Sequence, residues 1–327
     1  MKNKSKAITL QEYAEVKQKK INKVKKTSSL AFFFGPYFLC FIMFFLFPFI
    51  LGIVISFCKF DGTSIFPSGF VGFDNFIKVF TNKIMIKDFW SSVWYTFRFA
   101  LIIVPLCILI PLGLAMLVNI KPPGYKFFRA CIYLPGIFPL TATGLILLRM
   151  FAFNNGFINS FFDISIDWFG ETTTAWFMVG LFCVWGGIGG NFIILSAGLE
   201  NVDKTLYEAS NIDGSSKWQR FKYVTLPAIK PQLVMCLFTT LIGYMNLYGQ
   251  NYILLSNTPD QDSVMTAIFR IQNLLLGSSK SYGLAAAMAV VLGIIIAVIS
   301  GIQMATTKER KGGNKHAQAF MDWKKSK

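Results

Sequence analysis

Six apolar segments, each long enough to cross a membrane, are spaced along the chain. They occupy residues 30–57, 93–118, 130–153, 175–199, 227–255 and 282–305. A helix that crosses a bilayer needs about 20 mostly apolar residues. The pattern therefore predicts an all-α membrane protein with six transmembrane helices.

One polar stretch, residues 200–226, separates the fourth apolar segment from the fifth. Asp203 is a suitable N-cap for a short helix, because its side chain can accept hydrogen bonds from free backbone N–H groups. Gly214 is predicted to end that helix, since glycine adopts the left-handed conformation that follows many helices. Ser215 or Ser216 then caps a second helix. The stretch is predicted to form a helix, a tight turn and a second helix.

Two interpretations of this helical pair remain open on its pattern alone. Its exposed face is expected to include Leu206, Tyr207 and Ala209 among polar residues, a mixture that suits the groove of a partner protein. Alternatively, the pair rests on the membrane surface as an amphipathic loop, anchored by Trp218 and Phe221.

Composition and charge place the chain in a membrane and orient it. Hydrophobic residues make up 54% of the 327 residues and charged residues only 15%, against about 25% charged in soluble domains. The formal net charge is +16, and the ends, 1–29 and 307–327, are strongly basic. The loops 119–129 and 200–226 are basic too, whereas 154–174 carries acids alone. Since Lys and Arg favour the cytoplasmic side, both termini and the polar stretch are predicted to be cytoplasmic, in a multi-pass membrane protein.

Few residues that could perform chemistry are suitably placed. The six cysteines show no C-x-x-C spacing, and the one histidine, His316, lies in the basic tail. The basic ends lack the aromatic or glycine pattern of nucleic-acid-binding arms. The sequence therefore predicts no catalytic residue, no metal site and no nucleic-acid partner. No acid or histidine lies inside an apolar segment, which disfavours a proton-coupled carrier. A secondary transporter or channel for a small polar solute stays the alternative function.

The polar stretch resembles a known motif. Residues 208–215 read E-A-S-N-I-D-G-S and residues 224–227 read V-T-L-P. This is similar to the EAA loop of bacterial ABC importer permeases, which runs E-A-A-x-x-D-G-A and, about eight residues later, I-x-L-P. Ser210 and Ser215 stand where the motif has alanine, and Val224 stands for isoleucine. These departures keep the small size and the β-branching of the motif.

Further segments resemble the carbohydrate-type permeases of that family. They are Gly69 to Phe76 in the loop after the first segment, Tyr133-Leu134-Pro135, and Tyr282 to Ala287 at the start of the sixth segment. The resemblance implies the type I importer permease fold over residues 30–306, with 200–226 as its cytoplasmic coupling loop. It also implies that the protein lies in the inner (plasma) membrane of a bacterial cell.

The resemblance also implies partners and a coupling site. A second permease subunit would complete the pore as a heterodimer, cytoplasmic ATP-binding subunits would carry ATP and Mg, and an extracellular solute-binding protein would deliver a sugar or oligosaccharide. This chain itself would be neither an enzyme nor the holder of a cofactor, and membrane lipid would surround it. The residues expected to contact the ATPase are Glu208, Ala209, Ser210, Asp213 and Gly214.

Polar residues inside apolar segments are candidates for the solute pathway, because buried polar groups in a membrane need a reason. The candidates are Asn191, Tyr244, Asn246, Tyr248, Gln250 and Asn251. Asn246 and Gln250 are four residues apart, so a continuous helix would place them on one face. Amides and aromatic rings suit sugar hydroxyl groups. Hydrogen bonding between helices is the alternative role for each of these residues.

Three more features of the apolar segments carry structural expectations. The cluster 186–190, G-G-I-G-G, holds Gly186 and Gly190 at the G-x-x-x-G spacing that lets helices approach closely. Paired prolines in several segments can kink helices. Arg98 and Arg149 can reach the membrane surface from segment ends or pair across the bundle, and the sequence assigns neither a role.

Overall fold

The structure is a computed structural model that describes residues 32–307 except 63, 65, 83–85, 213, 257, 278 and 279. The basic N-terminal segment 1–29, residues 308–327 of the basic tail, and Asp213 of the predicted coupling site lie outside the described residues.

The described chain is almost entirely helical. Its helices are α1 (Phe32–Ser56), α2 (Asp74–Thr81), α3 (Ser91–Asn119), α4 (Tyr125–Tyr133), α5 (Leu140–Met150), α6 (Phe157–Phe162), α7 (Thr172–Glu200), α8 (Lys204–Ile212), α9 (Lys217–Ala228), α10 (Lys230–Met245), α11 (Gly249–Leu255), α12 (Ala267–Leu276) and α13 (Tyr282–Thr307). Short 3₁₀ turns span Leu134–Ile137 and Gln261–Ser263, and a wider helical turn, Ile86–Trp90, precedes α3. Two short strands, β1 (Cys58–Lys59) and β2 (Gly69–Phe70), pair antiparallel, with Cys58 opposite Phe70.

Four of the predicted spans are confirmed as continuous helices, α1, α3, α7 and α13, with ends within a few residues of the predicted ones. Two further spans arise if each of two bent pairs counts once. One pair is Tyr125–Ile137 with Leu140–Met150, and the other is Lys217–Ala228 with Lys230–Met245. Within the described ranges, the helices are therefore sufficient for the six spans that the sequence predicts.

The third predicted span, 130–153, is not one straight helix. The chain bends by 95° between Ile137 and Leu140. Phe138 is extended there, with φ −68° and ψ 139°, as expected for a residue that precedes proline. Pro139 has no N–H to continue the helix, so the helix begins again only after it.

The fifth predicted span, 227–255, is interrupted as well. Helix α10 ends at Met245, and the chain is helical again only from Gly249. The expectation that Asn246 and Gln250 share one helix face is therefore wrong. The break is stabilised from outside, because the Thr266 hydroxyl donates to the Leu247 carbonyl oxygen at 2.7 Å.

The centre of the fold is the pair α3 and α7, which run side by side in the same direction. Phe99 contacts Trp176 with ring centroids 5.1 Å apart, and the Cys107 thiol lies 3.9 Å from the Cys183 carbonyl oxygen. Buried side chains along both helices form two neighbouring apolar clusters. Because the helices are parallel, the end that contains Thr172 lies opposite the end where Glu200 leads into α8.

Helix α3 is continuous although it contains Pro105 and Pro111. Proline at 111 leaves the Cys107 carbonyl without its usual i+4 donor. The Asn191 side chain of α7 donates to that oxygen at 2.7 Å. A neighbouring helix thus supplies the hydrogen bond that the proline removes.

The loop after α1 is fixed by Asn75, which lies in the family-like stretch 69–76. Its side-chain amide donates to the backbone oxygens of Ser56 and Cys58, both at 2.9 Å. The start of α13 closes on the same loop through the Gly283 N–H, which donates to the Phe60 oxygen at 3.1 Å. Two of the family-like segments therefore meet in space.

Candidate coupling surface and solute pathway

The first helix of the polar stretch, α8, begins as predicted. The Thr205 N–H donates to the Asp203 carboxylate at 2.9 Å. This backbone hydrogen bond, with the one from the Thr205 side chain, lowers the pKa of the exposed Asp203 carboxyl. The cap is therefore charged at neutral pH, where a negative group favours the N-terminus of a helix.

The turn between α8 and α9 is a glycine-dependent helix end. Gly214 has φ +70° and open space around it. The Ser215 N–H donates to the Ser210 oxygen at 3.0 Å and the Gly214 N–H to the Asn211 oxygen at 3.1 Å, the two bonds of a Schellman motif. Ser216 starts α9 with a reciprocal capping box, since it and Gln219 each accept from the other's backbone N–H.

Side chains hold the two helices together as one unit. The hydroxyl groups of Tyr207 and Thr225 are hydrogen bonded at 2.8 Å, and the Arg220 guanidinium donates to the Asn211 side-chain oxygen. Tyr207 and Phe221 also pack on the apolar cluster below. The expectation that Tyr207 belongs to the exposed face is therefore wrong, because it is half-buried and anchors the pair.

The outward face of this pair is partly apolar. Glu208 and Ala209 are exposed, together with the large side chains of Leu206, Ile212 and Trp218. Ser210 is buried, and its hydroxyl donates to the Tyr207 oxygen at 2.8 Å. Of the described residues predicted to contact a partner, Glu208, Ala209 and Gly214 are accessible and Ser210 is not. We call the accessible face of α8, the turn and α9 the coupling surface.

Glu208 is an acid on the described part of the coupling surface. Among the described residues, its carboxylate has no ion-pair or hydrogen-bond partner. Lys204, Lys217 and Lys222 are also exposed on this helical pair. A free carboxylate beside apolar side chains is suited to a partner that offers hydrogen-bond donors and an apolar cleft.

Two adjoining cavities lie where α10 breaks. One has about 240 Å³ and extends between α7 and the bend from α4 to α5. The other has about 380 Å³ and follows α10 and the start of α11. Gly187, Tyr244 and Gln250 line both. The broken helix thus borders a partly polar space, and irregular backbone inside a membrane is tolerated where it lines a cavity.

Tyr244 and Asn191 line these cavities but are engaged within the chain. The Tyr244 hydroxyl donates to the Cys183 oxygen at 2.8 Å and accepts from the Cys107 thiol at 3.3 Å. Asn191 is buried and donates to the Cys107 oxygen and, at 3.0 Å, to the Thr240 hydroxyl. Both side chains therefore join helices, the alternative role that the sequence left open.

The amides of the broken segment differ in their partners. Asn246 donates to the Ile242 oxygen of its own helix at 2.8 Å. Asn251 is fully buried and donates to the Val264 oxygen at 2.8 Å, and neither cavity includes it. Gln250 lines both cavities, and no partner holds its amide within the described chain. Tyr248 stacks on Tyr252 with centroids 5.4 Å apart.

The glycine cluster of α7 does not pack in the way that its G-x-x-x-G spacing predicts. Gly186 and Gly190 face open space, so the G-x-x-x-G pair does not mediate the close approach. The approach occurs at Gly189, where an added Cβ would lie 3.0 Å from the Tyr133 backbone oxygen. The open side of the cluster instead contributes Gly186 and Gly190 to the cavities.

Sequence reasoning missed some of the cavity lining. Thr239 and Thr240 of α10 line the larger cavity, and Thr143 and Trp185 line the smaller one. The adjacent threonines ahead of Tyr244 were a usable signal, since hydroxyl groups are uncommon in apolar segments. Across the described residues, no group of three or more His, Cys, Asp and Glu side chains could hold a metal ion.

Comparison with known proteins decides the family. The sequence profile of the binding-protein-dependent transport system inner membrane component matches residues 108–307. The chain belongs to this family. It is a multi-pass transport subunit rather than an enzyme, and the permease resembles other permeases over most of its length.

The curated relatives of the permease are transport subunits of similar size. It is 33% identical to the starch degradation products transport system permease protein AmyD of Thermoanaerobacterium thermosulfurigenes, over 85% of this chain and 94% of that protein. It is 29% identical to the arabinooligosaccharides transport system permease protein AraP of Bacillus subtilis, over 86% and 88%. The predicted membership of the ABC importer permeases is confirmed.

A solved structure shares the fold of the permease. A chain of a bacterial ABC transporter that imports the acidic polysaccharide alginate superposes with a TM-score of 0.75, over 90% of this chain and 99% of that one, at 18% identity. The predicted importer permease fold is confirmed.

Proposed function

We propose that the permease forms half of the pore of an ATP-driven importer for a sugar or oligosaccharide. The observation that carries this proposal is its similarity, over most of both chains, to permeases named for starch degradation products and arabinooligosaccharides. The polar cavities at the broken α10–α11 segment support it, because they offer amide, hydroxyl and aromatic groups to a solute rich in hydroxyls.

The coupling surface is proposed to dock on a separate cytoplasmic ATPase. Glu208 would accept hydrogen bonds from that partner, and Leu206, Ile212 and Trp218 would enter an apolar cleft. The alternative, rest on lipid, leaves the carboxylate of Glu208 facing the membrane surface without a partner. Docking therefore accounts better for this face.

The permease is proposed to have both termini in the cytoplasm, with basic segments 1–29 and 307–327 flanking a membrane domain at 30–306. A second permease subunit would complete the pore as a heterodimer, and an extracellular binding protein would deliver the solute. The cofactors ATP and Mg would be bound by the ATPase partner and not by this chain.

Movement of the coupling surface has a direct route to the solute cavity. Helix α9 passes into α10 through a 69° bend at Ile229, which is fully buried. The far end of α10 is the break at residues 246–248, which borders the larger cavity, and the flanking Tyr244 and Gln250 line both cavities. When ATP closes the ATPase dimer, a shift of α8 and α9 would move α10 and reshape the cavity, so that it opens to one side of the membrane at a time.

Glu208→Lys tests the coupling. We expect the purified transporter to lose its ATPase subunit, because an added cation replaces the free acceptor. Glu171→Lys is the matched control, since Glu171 is an exposed glutamate at the opposite end of α7. Equal retention of the ATPase by both variants would contradict the coupling role.

Gln250→Ala tests the pathway. We expect ATP-driven uptake of maltooligosaccharide or arabinooligosaccharide by proteoliposomes to fall about tenfold, with the ATPase still bound, because an unengaged amide is lost from both cavities. Asn246→Ala is the milder comparison, since that amide bonds its own helix. Uptake that continues without ATP would instead favour the alternative, a secondary transporter or channel.

A further inference from the structure

A groove between α3 and α7 has at its end a chamber that contains an arginine and several hydroxyl groups, and it has an apolar floor along its length. The chamber has about 330 Å³ and lies at the Thr172 end of α7, opposite the coupling surface. The apolar part has about 400 Å³ and continues from it, since Phe99, Ile102 and Trp176 line both. This groove is distinct from the two cavities at the break of α10.

The chamber is a place for one negative charge. Arg98 lines it and is exposed. Within the described residues, the guanidinium has neither an ion pair nor a hydrogen bond. Tyr95 and Thr173 add hydroxyl groups, and the Thr172 hydroxyl, which is also in the lining, donates to Asp260. A cation that the fold leaves unpaired, beside hydroxyl donors, is suited to a phosphate oxygen.

Two acids next to Thr172 limit the charge that the chamber can accept. The Asp260 carboxylate accepts from the Thr172 hydroxyl at 3.4 Å. Asp260 is not in the lining but is bonded to the lining Thr172, and the exposed Glu171 precedes Thr172 in the chain. Both carboxylates repel a second negative charge. A phosphodiester with a single charge therefore fits better than a free phosphate dianion.

Arg98 lies at the level of lipid headgroups. It is about 32 Å along the axis of α3 from the helix end at Asn119, at 1.5 Å per residue. The hydrocarbon core of a bilayer is about 30 Å thick. The Trp176 ring beside Arg98 is fixed by its N–H, which donates to the Ser263 oxygen at 3.2 Å. Tryptophan with a bonded N–H and an apolar body is typical of the membrane interface.

The apolar part has the shape needed for a hydrocarbon chain. Leu106, Phe177 and Leu181 line it and remain exposed, at 40%, 59% and 38%. From Thr172 to Val184 the groove follows α7 for about 18 Å, close to the roughly 15 Å depth of one leaflet of the hydrocarbon core.

We propose that this groove binds one phospholipid of the leaflet opposite the coupling surface, with the phosphodiester on Arg98 and one acyl chain between α3 and α7. The positive charge of Arg98 suits an anionic headgroup. Because the chamber and the apolar part are continuous, the ligand that fits both is a headgroup with an attached acyl chain. The lipid fills the groove between the two central helices and stabilises their contact. This site is independent of the solute and of the ATPase.

Native mass spectrometry of the full-length permease, titrated with phosphatidylglycerol, tests the site. We expect one tightly held lipid per chain. Arg98→Gln should weaken its binding about tenfold or more, because a charge-assisted contact is lost. Arg98→Lys should restore much of the binding. Arg149→Gln is the matched control, since Arg149 is also an exposed arginine near the end of an apolar helix, and it has no partner among the described residues.

A variant that fills the apolar part of the groove distinguishes lipid binding from the binding of a free anion. Leu181→Trp should weaken phosphatidylglycerol binding while leaving Arg98 in place. Glycerol phosphate, which has the charge but no acyl chain, should not compete with the lipid at equal concentration.

The proposal is overturned if Arg98→Gln and Leu181→Trp hold the lipid as tightly as the wild-type chain. It is equally overturned if a photo-crosslinking residue at position 181, in the assembled transporter, reacts with the second permease and not with lipid. Competition by glycerol phosphate alone would identify an anion site instead.

Discussion

Helices α3 and α10 differ in whether the helix continues where its backbone hydrogen bonding is disturbed. Helix α3 contains two prolines, at 105 and 111, and is continuous over 29 residues. The segment of α10 and α11 contains no proline near residues 246–248 and breaks there. Proline content therefore does not determine where a span is interrupted.

The difference lies in where backbone groups find their partners. In α3, Asn191 donates to the Cys107 oxygen that Pro111 leaves unbonded. At the break, Thr266 donates to the Leu247 oxygen, and Asn251 bonds both the Val264 oxygen and the Thr266 N–H. Since water is absent from the bilayer core, each free group must be satisfied by protein. In α3, a side chain from another helix supplies the missing hydrogen bond, so the helix continues. At residues 246–248, side chains from other elements bond the free backbone groups, so the chain can stay non-helical.

The largest effect is expected at the buried break. Asn251→Leu leaves the Val264 carbonyl and the Thr266 N–H without partners, which costs about 2–4 kcal/mol of unfolding free energy. Denaturant titration of the detergent-solubilised permease measures it. Asn246→Leu is the control, because that exposed amide bonds only its own helix. Equal losses from the two variants would remove the distinction between the buried and the accessible side of the break.

A double-mutant cycle tests the repair of α3. Asn191→Leu is expected to cost about 1–3 kcal/mol, because the Cys107 carbonyl loses its donor. In a Pro111→Ala background the cost should fall by about 1 kcal/mol, since the alanine N–H can donate to the same carbonyl. The measurement is the unfolding free energy of the four chains. Strictly additive effects would show that Asn191 does not replace the bond lost to proline.

The bend between α4 and α5 rests on α7 through a glycine. Gly189→Ala places a Cβ 3.0 Å from the Tyr133 oxygen, and such overpacking costs about 1–2 kcal/mol. Gly190→Ala, one residue on, has open space and should leave thermal stability nearly unchanged. If both variants lose the same stability, the contact at Gly189 does not hold the bend.

The turn between α8 and α9 is exposed to water, so the loss of one of its hydrogen bonds should lower the unfolding free energy less than a loss at the buried break. Ser216→Ala removes the hydroxyl that caps α9, with an expected cost of about 1 kcal/mol or less, because water can bond the freed N–H groups. Faster hydrogen exchange at the Gln219 amide measures it. Ser215→Ala is the control, since only the backbone of Ser215 bonds the turn. A loss as large as that of Asn251→Leu would erase the contrast between the buried and exposed breaks.

The smallest effect is a pH dependence at the start of α8. The pKa of Asp203 is lowered in the folded chain, so its contribution is present above the ordinary carboxyl pKa and is lost as the pH falls through the lowered value. The protection factor of the Thr205 amide, which corrects for the intrinsic pH dependence of hydrogen exchange, should fall in that acid range. Asp203→Asn should abolish this pH dependence, and its persistence in that variant would assign the effect to another group.

Local features of the fold were predictable in detail. The continuous spans follow from uninterrupted apolar runs, and the caps at Asp203 and Ser216 follow from residues within three positions of the bonds they make. The left-handed turn at Gly214 is of the same kind. These predictions succeeded because each depends on neighbours in sequence.

The candidate pathway was predictable only in part. Five of its six residues, Asn191, Tyr244, Asn246, Tyr248 and Gln250, line the cavities. Their different partners depend on helices far away in sequence, as with Asn191 and the Cys107 oxygen of α3. A pattern along one segment cannot supply that information.

By itself, the sequence determined that this chain lies in a membrane, how many times it can cross, and where its polar helical pair interrupts the spans, because hydrophobic run length and capping chemistry are local. The tertiary structure alone decided which spans break, which amides stay free beside a cavity, and which glycine touches a neighbour. Those outcomes depend on which hydrogen-bond partner another helix offers to each backbone group. Because the bilayer core offers no water as a substitute, that partner determines the local backbone conformation.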